Sequence, residues 1–263
     1  MMNPASWNSC RSSLKRSDGK QMRRIYRTNL DFSTRCDLAA RRRKATNKET
    51  ARTEWNSYRR SVKSRPVLEA LKEMNGQRQR CVYCCDSRSA DVDHFTPISV
   101  DYSQAFAWNN FILVCPECNR KKGARFPRDK DGKPLIINPT REDPWDFLIL
   151  DTKTGYLAAR FLDEDFDPKG ESTVEVISFI NHEAVVEGRR RVIARYNEAV
   201  DYLLSSVEPK KSTGKLLREI REDEHGIGEW FARREGSLEP RFSELRARFP
   251  SIWRRFVREA CSA

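Results

Sequence analysis

The chain has 263 residues, 38% hydrophobic and 33% charged, with a formal net charge of +12 and three histidines. That length suits one large domain or two small ones with a real core, and six Trp, seven Tyr and 13 Phe exclude a disordered, collagen-like or low-complexity chain. No stretch nears the roughly 18 apolar residues of a membrane span, and the start lacks the apolar core of a signal peptide, so a cytoplasmic location is expected.

Residues 1–21, rich in Ser and Asn, read as a flexible tail, with order beginning at Met22 to Ile25. Residues 22–76 read as a basic helical arm. From about Asp37 to Met74 the pattern is helical, with Trp55, Tyr58, Val62, Val67, Leu68 and Leu71 at spacings of three and four. Pro66 suits the first turn of a second helix, and Asn75-Gly76 stops it. Residues 11–65 hold 18 Lys and Arg against five Asp and Glu, whereas the rest holds 32 against 33. All the excess charge therefore sits in the first quarter, the footprint expected for phosphate backbones. Arg41, Arg42, Arg43 and Lys44 are its densest run. A solvated helix face and an acidic protein partner are the rivals. An anionic membrane is disfavoured, because no lipidation motif or strongly apolar face supports it.

Residues 77–127 change character and hold five of the eight cysteines. In a reducing compartment metal ligation explains them better than disulfides. Cys81-Val-Tyr-Cys84 and Cys115-Pro-Glu-Cys118 are two knuckles separated by 30 residues. A two-residue spacer lets one turn present both sulfurs to one ion, and two turns close a tetrahedral zinc site with no open position. Cys85 is read as a non-ligand, and Cys10, Cys36 and Cys261 as incidental. Between the knuckles, alternating Val92 and His94, then Phe111 and Leu113, fit two short strands. Residues 116–123 fit a short helix. Trp108 reads as core more readily than as a base-stacking platform.

Residues 128–263 read as loop, hairpin and a C-terminal helical region. The Pro-, Asp- and Gly-rich stretch 126–146 is loop, and Phe147–Leu150 with Tyr156–Phe161 suit a hairpin. Helices are expected at 178–207, about 213–235 and about 241–260. His182 and His225 read as ordinary helix or loop residues. Leu203, Leu204, Phe231, Trp253 and Phe256 suit either a partner surface or the domain's own core, and core is the favoured reading.

The finger segment resembles the HNH endonuclease family. The match runs through Cys81, Cys84, Asp93, His94, Asn110, Cys115, Cys118, Asn119, Lys122 and Gly123. It implies an α+β fold, a small zinc-clamped ββα-metal finger embedded in a mostly helical protein. It also implies roles. His94 would be the general base, since imidazole titrates near neutral pH. Asp93 and Asn119 would hold one Mg²⁺ or Mn²⁺ through hard oxygen ligands. Asn110 would fix the loop and the imidazole. Arg120, Lys121 and Lys122 would contact neighbouring phosphates. The substrate implied is DNA, with RNA not excluded.

Flanking features are similar to the HNH component of Septu and retron-associated antiphage systems: Met22-Arg-Arg-Ile25, Phe106-Ala-Trp-Asn-Asn110, Lys-Gly-x2-Phe-Pro at 122–127, and Asn138-Pro-x3-Glu-Asp-Pro144. In such systems the nuclease works with an ABC-type ATPase. The HNH subunit of Zorya-type defence is a second resemblance. The competing reading is a zinc-structured binding or adaptor protein without strong catalysis. Such a module does not need Asp93, His94, Asn110 and Asn119 together, and this chain has all four. Oligomeric state is left open.

Overall fold

The computed structural model describes residues 25–262. The tail expected at 1–21, the first residues of the arm at 22–24, and Cys10 lie outside the described residues. The arm folds as three helices: α1 (Phe32–Lys44), α2 (Lys48–Tyr58) and α3 (Arg65–Met74). Asp31 starts α1 by accepting from the Thr34 backbone N–H at 2.9 Å. The continuous helix expected from Asp37 breaks at 45–47, because Asn47 caps instead. Its side-chain oxygen accepts from the backbone of Glu49 and Thr50, and the Thr50 hydroxyl answers the Asn47 N–H. Asn competes with the helix in this way wherever it can satisfy free N–H groups. Pro66 lies in the first turn of α3, and Asn75 ends it. The Asn75 side-chain amide donates to the carbonyls of Arg80 and Leu113, which ties the arm to the finger.

The finger contains β1 (Asp91–His94) and β2 (Phe111–Val114), antiparallel, with Asp91 opposite Val114 and His94 opposite Phe111. All four residues of β2 are buried. Helix α4 (Pro116–Lys122) follows directly. It ends on Gly123, whose φ of +50° places the chain in a region that L side chains resist.

Beyond a loop stretch, β3 (Leu148–Leu150) and β4 (Leu157–Ala159) form the expected hairpin. Two elements go beyond the sequence expectation. One is a small ribbon of β5 (Phe161–Leu162) and β6 (Asp165–Phe166). The other is α5 (Pro168–Val176), which Asp167 caps by accepting from Lys169 and Gly170. Helix α6 (Glu183–Ser205) covers most of the expected 178–207 segment, with His182 as its N-cap. The helix expected at 213–235 is two, α7 (Pro209–Glu222) and α8 (Ile227–Arg233). The break falls at Gly226, whose φ is +67°. The buried Asp223 carboxylate holds this turn by accepting from the N–H groups of His225 and Gly228 and from the Tyr196 hydroxyl. The last expected helix is likewise two, α9 (Pro240–Arg248) and α10 (Pro250–Ser262), parted at Phe249.

One hydrophobic cluster runs through the described residues, from Ile25 to Ala260. Leu203, Phe231 and Phe256 are fully buried in it, and Leu204 and Trp253 pack against it. These five residues are therefore core, as the sequence favoured. The Phe231 and Phe242 rings stack with centroids 4.0 Å apart. Among the described residues no helix is long and apolar enough to cross a membrane.

Candidate active site

The four knuckle cysteines come together. Their sulfurs all lie within 4.8 Å of one another and are buried, and all four cysteines are free. Cys84 Sγ and Cys115 Sγ are 3.8 Å apart. A tetrahedron of sulfurs about 2.3 Å from a zinc ion has edges of about 3.8 Å, whereas a disulfide is about 2.05 Å long. The spacing therefore fits a tetrathiolate metal site. Each knuckle is turned by an N–H···S contact, Tyr83 onto Cys81 and Cys118 onto Cys115, both at 3.4 Å. Packed this closely, the four thiols act on one another in opposite directions, with Cys84 and Cys115 drawn below their ordinary values and Cys81 and Cys118 pushed above them. Cys85 is buried but stands outside the four. Cys115 is also the N-cap of α4, so the same residue closes the clamp and launches the helix that carries Asn119.

Alternation along β1 sends Asp91 and Asp93 to one face and Val92 and His94 to the other. The first face meets α4. Asn119 Nδ2 donates to Asp91 Oδ2 at 2.9 Å, and Lys122 Nζ lies 2.8 Å from Asp93 Oδ2. Lys122 also donates to the His94 carbonyl at 2.7 Å. Asp93 Oδ1 accepts from the His94 backbone N–H at 2.8 Å. Asp93 Oδ2 is buried, and its close partner among the described residues is the Lys122 ammonium. Asn119, with its amide N–H spent on Asp91, keeps its carbonyl oxygen Oδ1 as an acceptor. Asp91 and Asp93 are thus each met from α4, the one by the Asn119 amide and the other by the Lys122 ammonium.

His94 lies at the other face of β1, 6% exposed. Its ring is walled by Trp55, 4.5 Å away edge-on, and by its cross-strand partner Phe111 at 5.3 Å. Nε2 is 2.8 Å from the Ala105 carbonyl oxygen. A carbonyl only accepts, so Nε2 carries the proton and Nδ1 keeps the lone pair. Burial pushes the imidazole below its ordinary pKa, against the smaller upward pulls of Ala105 and Asp93. Neutral at pH 7, with its tautomer fixed, it has the form a general base needs.

Asn110 does not hold the imidazole directly. Its Oδ1 accepts from Thr96 N–H at 2.7 Å, and its Nδ2 donates to the carbonyls of Thr96 and Gln104. It thereby fixes the loop whose next residue, Ala105, grips His94. One sequence expectation needs correction. Lys122 does not reach for outside phosphates, being 1% exposed with its ammonium turned onto Asp93 and His94. Arg120 and Lys121 beside it are exposed. In the arm, Arg42, Arg43 and Lys44 are exposed, whereas Arg41 is half-buried and paired with Glu54 at 2.8 Å. Trp108 is half-buried and donates to the Thr28 carbonyl. Sequence reasoning passed over Asp91 and Trp55. The period of two along β1 would have marked Asp91 as a partner of Asp93. No local signal brings Trp55 to His94.

The HNH endonuclease family model matches residues 80–125. A Septu protein PtuB of Bacillus thuringiensis is 30% identical over 154 residues, 56% of this chain and 54% of that protein. Another, of Bacillus mycoides (strain KBAB4), is 28% identical over 196 residues, 62% of this chain and 61% of that protein. The Septu protein PtuA of the same strain is 29% identical over 178 residues, 57% of this chain and 24% of that protein. The chain thus spans between about half and three fifths of the length of these PtuB relatives. With two strands, a following helix and a four-cysteine cluster all inside the matched segment, residues 80–125 are an HNH endonuclease family domain, set in a chain similar to Septu proteins.

Proposed function

We propose that the chain is a metal-dependent endonuclease that hydrolyses phosphodiester bonds in DNA. On this reading it is the nuclease of an antiphage defence system of the Septu kind, working with an ABC-type ATPase partner. The observation that carries the reading is a junction at the end of β1. There one carboxylate, Asp93, shares a backbone hydrogen bond with a neutral, tautomer-fixed histidine, His94. Likeness to PtuB and PtuA proteins supports the defence setting.

Cys81, Cys84, Cys115 and Cys118 would hold a structural Zn²⁺. Asp93 Oδ2 and Asn119 Oδ1 would hold Mg²⁺ or Mn²⁺. When bound, that cation supplies positive charge at the scissile phosphate and the leaving 3′ oxygen. The chain's own residues do the rest. Asp91 fixes the Asn119 amide so that its oxygen, not its N–H, is presented. His94 Nδ1 takes the proton of the attacking water, and the Ala105 carbonyl stabilises the resulting imidazolium through Nε2–H. Exposed Arg120 and Lys121 meet flanking phosphates, with Arg42, Arg43 and Lys44 of the arm engaging the backbone further out.

Plasmid cleavage by the purified chain with Mg²⁺, alone and with the ATPase, tests this. His94→Ala is expected to lower cleavage by about 10²- to 10⁴-fold, the usual range for a general base, at unchanged zinc content. Equal cutting by both proteins overturns the base assignment. If neither protein cuts DNA or RNA, with the partner present, yet both bind it, the chain is a binding module.

A further inference from the structure

Lys122 stands out among the buried groups that the proposed reaction leaves unused. It is a lysine 1% exposed, and such burial needs a partner to be tolerated. Its partners are the two groups that meet at the end of β1, Asp93 Oδ2 at 2.8 Å and the His94 carbonyl oxygen at 2.7 Å. The ammonium therefore lies on the Asp93 oxygen that the His94 backbone N–H does not reach. It reaches there from the last turn of α4, three residues after Asn119.

Where β1 and α4 meet, the two carboxylates Asp91 and Asp93 are opposed by a single buried ammonium, that of Lys122. An ion drawn to Asp93 Oδ2 must share that oxygen with a fixed positive charge, and in a buried setting such repulsion is poorly screened. A phosphodiester brings the further negative charge that the face lacks. We propose that Lys122 is a positioning residue that holds the Asp93 carboxylate and offsets its charge, so that the finger retains a divalent cation firmly only when a nucleic-acid phosphate is present. This rests on the reading above, in which Asp93 and Asn119 hold the cation. It adds that metal and nucleic acid bind with positive cooperativity, and that a lysine sets the coupling.

Mn²⁺ affinity of the zinc-loaded full chain, read by electron paramagnetic resonance without nucleic acid, provides the test. Lys122→Met keeps the apolar stem and removes the charge. It is expected to tighten Mn²⁺ binding on the order of tenfold while cleavage falls, because the carboxylate is no longer held. Lys122→Arg keeps the charge and is expected to stay near wild-type affinity. Unchanged or weaker Mn²⁺ binding in a Lys122→Met protein with normal zinc content and helical signal overturns the proposal, as does equal tightening by Lys122→Arg. Asp93→Asn separates the two levels. If it leaves Mn²⁺ binding intact, the cation site itself is misassigned. If it abolishes binding while Lys122→Met behaves as wild type, only the role of Lys122 fails. Should Lys122→Met not fold, the wild type decides. A non-cleavable phosphorothioate duplex is expected to raise its Mn²⁺ affinity on the order of tenfold, and no increase overturns the coupling.

Discussion

In the finger, four thiols, Asp93, His94, Asn110 and Lys122 occupy the inside of a segment whose two strands have four residues each. In the C-terminal region, α6 to α10 close around rings: Phe231 stacks on Phe242, and Phe242 and Tyr196 both meet Phe256. The two regions reach order by different means. A two-stranded hairpin with polar groups inside is marginal in water by its own packing, so the finger depends on whatever draws its sulfurs together. The helical region depends on apolar area removed from water. One should respond to chelators and the other to cavities.

The largest effect expected follows directly. A zinc-selective chelator removes a bond set worth about 10–16 kcal/mol in small zinc domains. Hydrogen exchange of the full chain should then show amides of β1, β2 and α4 losing protection while α6 to α10 keep theirs. Retained protection in the finger would break the comparison. The converse cut is Phe242→Ala, which opens a cavity under the stacked rings and should cost about 3–5 kcal/mol. Its melting temperature should fall with zinc stoichiometry unchanged.

The same contrast explains what could be read in advance. Cysteine spacing and the alternation that gave two strands and a following helix are local patterns, each with a physical reason, so the four-cysteine cluster and the finger's elements were legible in the sequence. The helical region was legible as helices but not in its breaks. Gly226 and Asp223 split one expected helix through a buried hydrogen-bond network that no periodicity reports. Helix α5 did carry a signal, the Asp167-Pro168 start, on a segment too weakly periodic to be noticed. In the site, the inward turn of Lys122 was hidden because a motif lysine beside Arg120 and Lys121 looks like one more phosphate ligand. Its orientation is fixed by the last turn of α4 against β1, a tertiary fact. Trp55, distant from His94 in sequence, needed the arm's docking to be seen.

A smaller effect separates the regions by pH. His225 is buried beside the charges of Arg189, Arg80 and Arg195, and burial above all lowers its pKa from 6.5 to about 3. The folded imidazole thus stays neutral while the unfolded one protonates near 6.5. Its stability contribution is complete above pH 6.5 and is lost as pH falls from 6.5 towards 3. By pH 4.5 the loss should be on the order of 2–3 kcal/mol. His225→Gln should show a smaller drop in melting temperature between pH 7 and pH 4.5 than wild type, and an equal drop would exclude the residue as the source.

The smallest effect on stability concerns the arm, which the structure ties to the site through Trp55. Arg42, Arg43 and Lys44 are exposed at the end of α1, so replacing all three with Ala should leave folding almost unchanged. If each meets a phosphate, the slope of log binding constant against log salt should shrink by about 0.9 per residue on duplex DNA. Deleting residues 1–65 cannot ask this question cleanly. It also removes α2, and with it the Trp55 ring that walls His94 at 4.5 Å and stacks on Phe111. A shorter slope in the triple variant with cleavage of bound DNA retained assigns α1 to grip alone. An unchanged slope leaves α2, through Trp55, as the arm's connection to the chemistry and moves the phosphate contacts to Arg120 and Lys121.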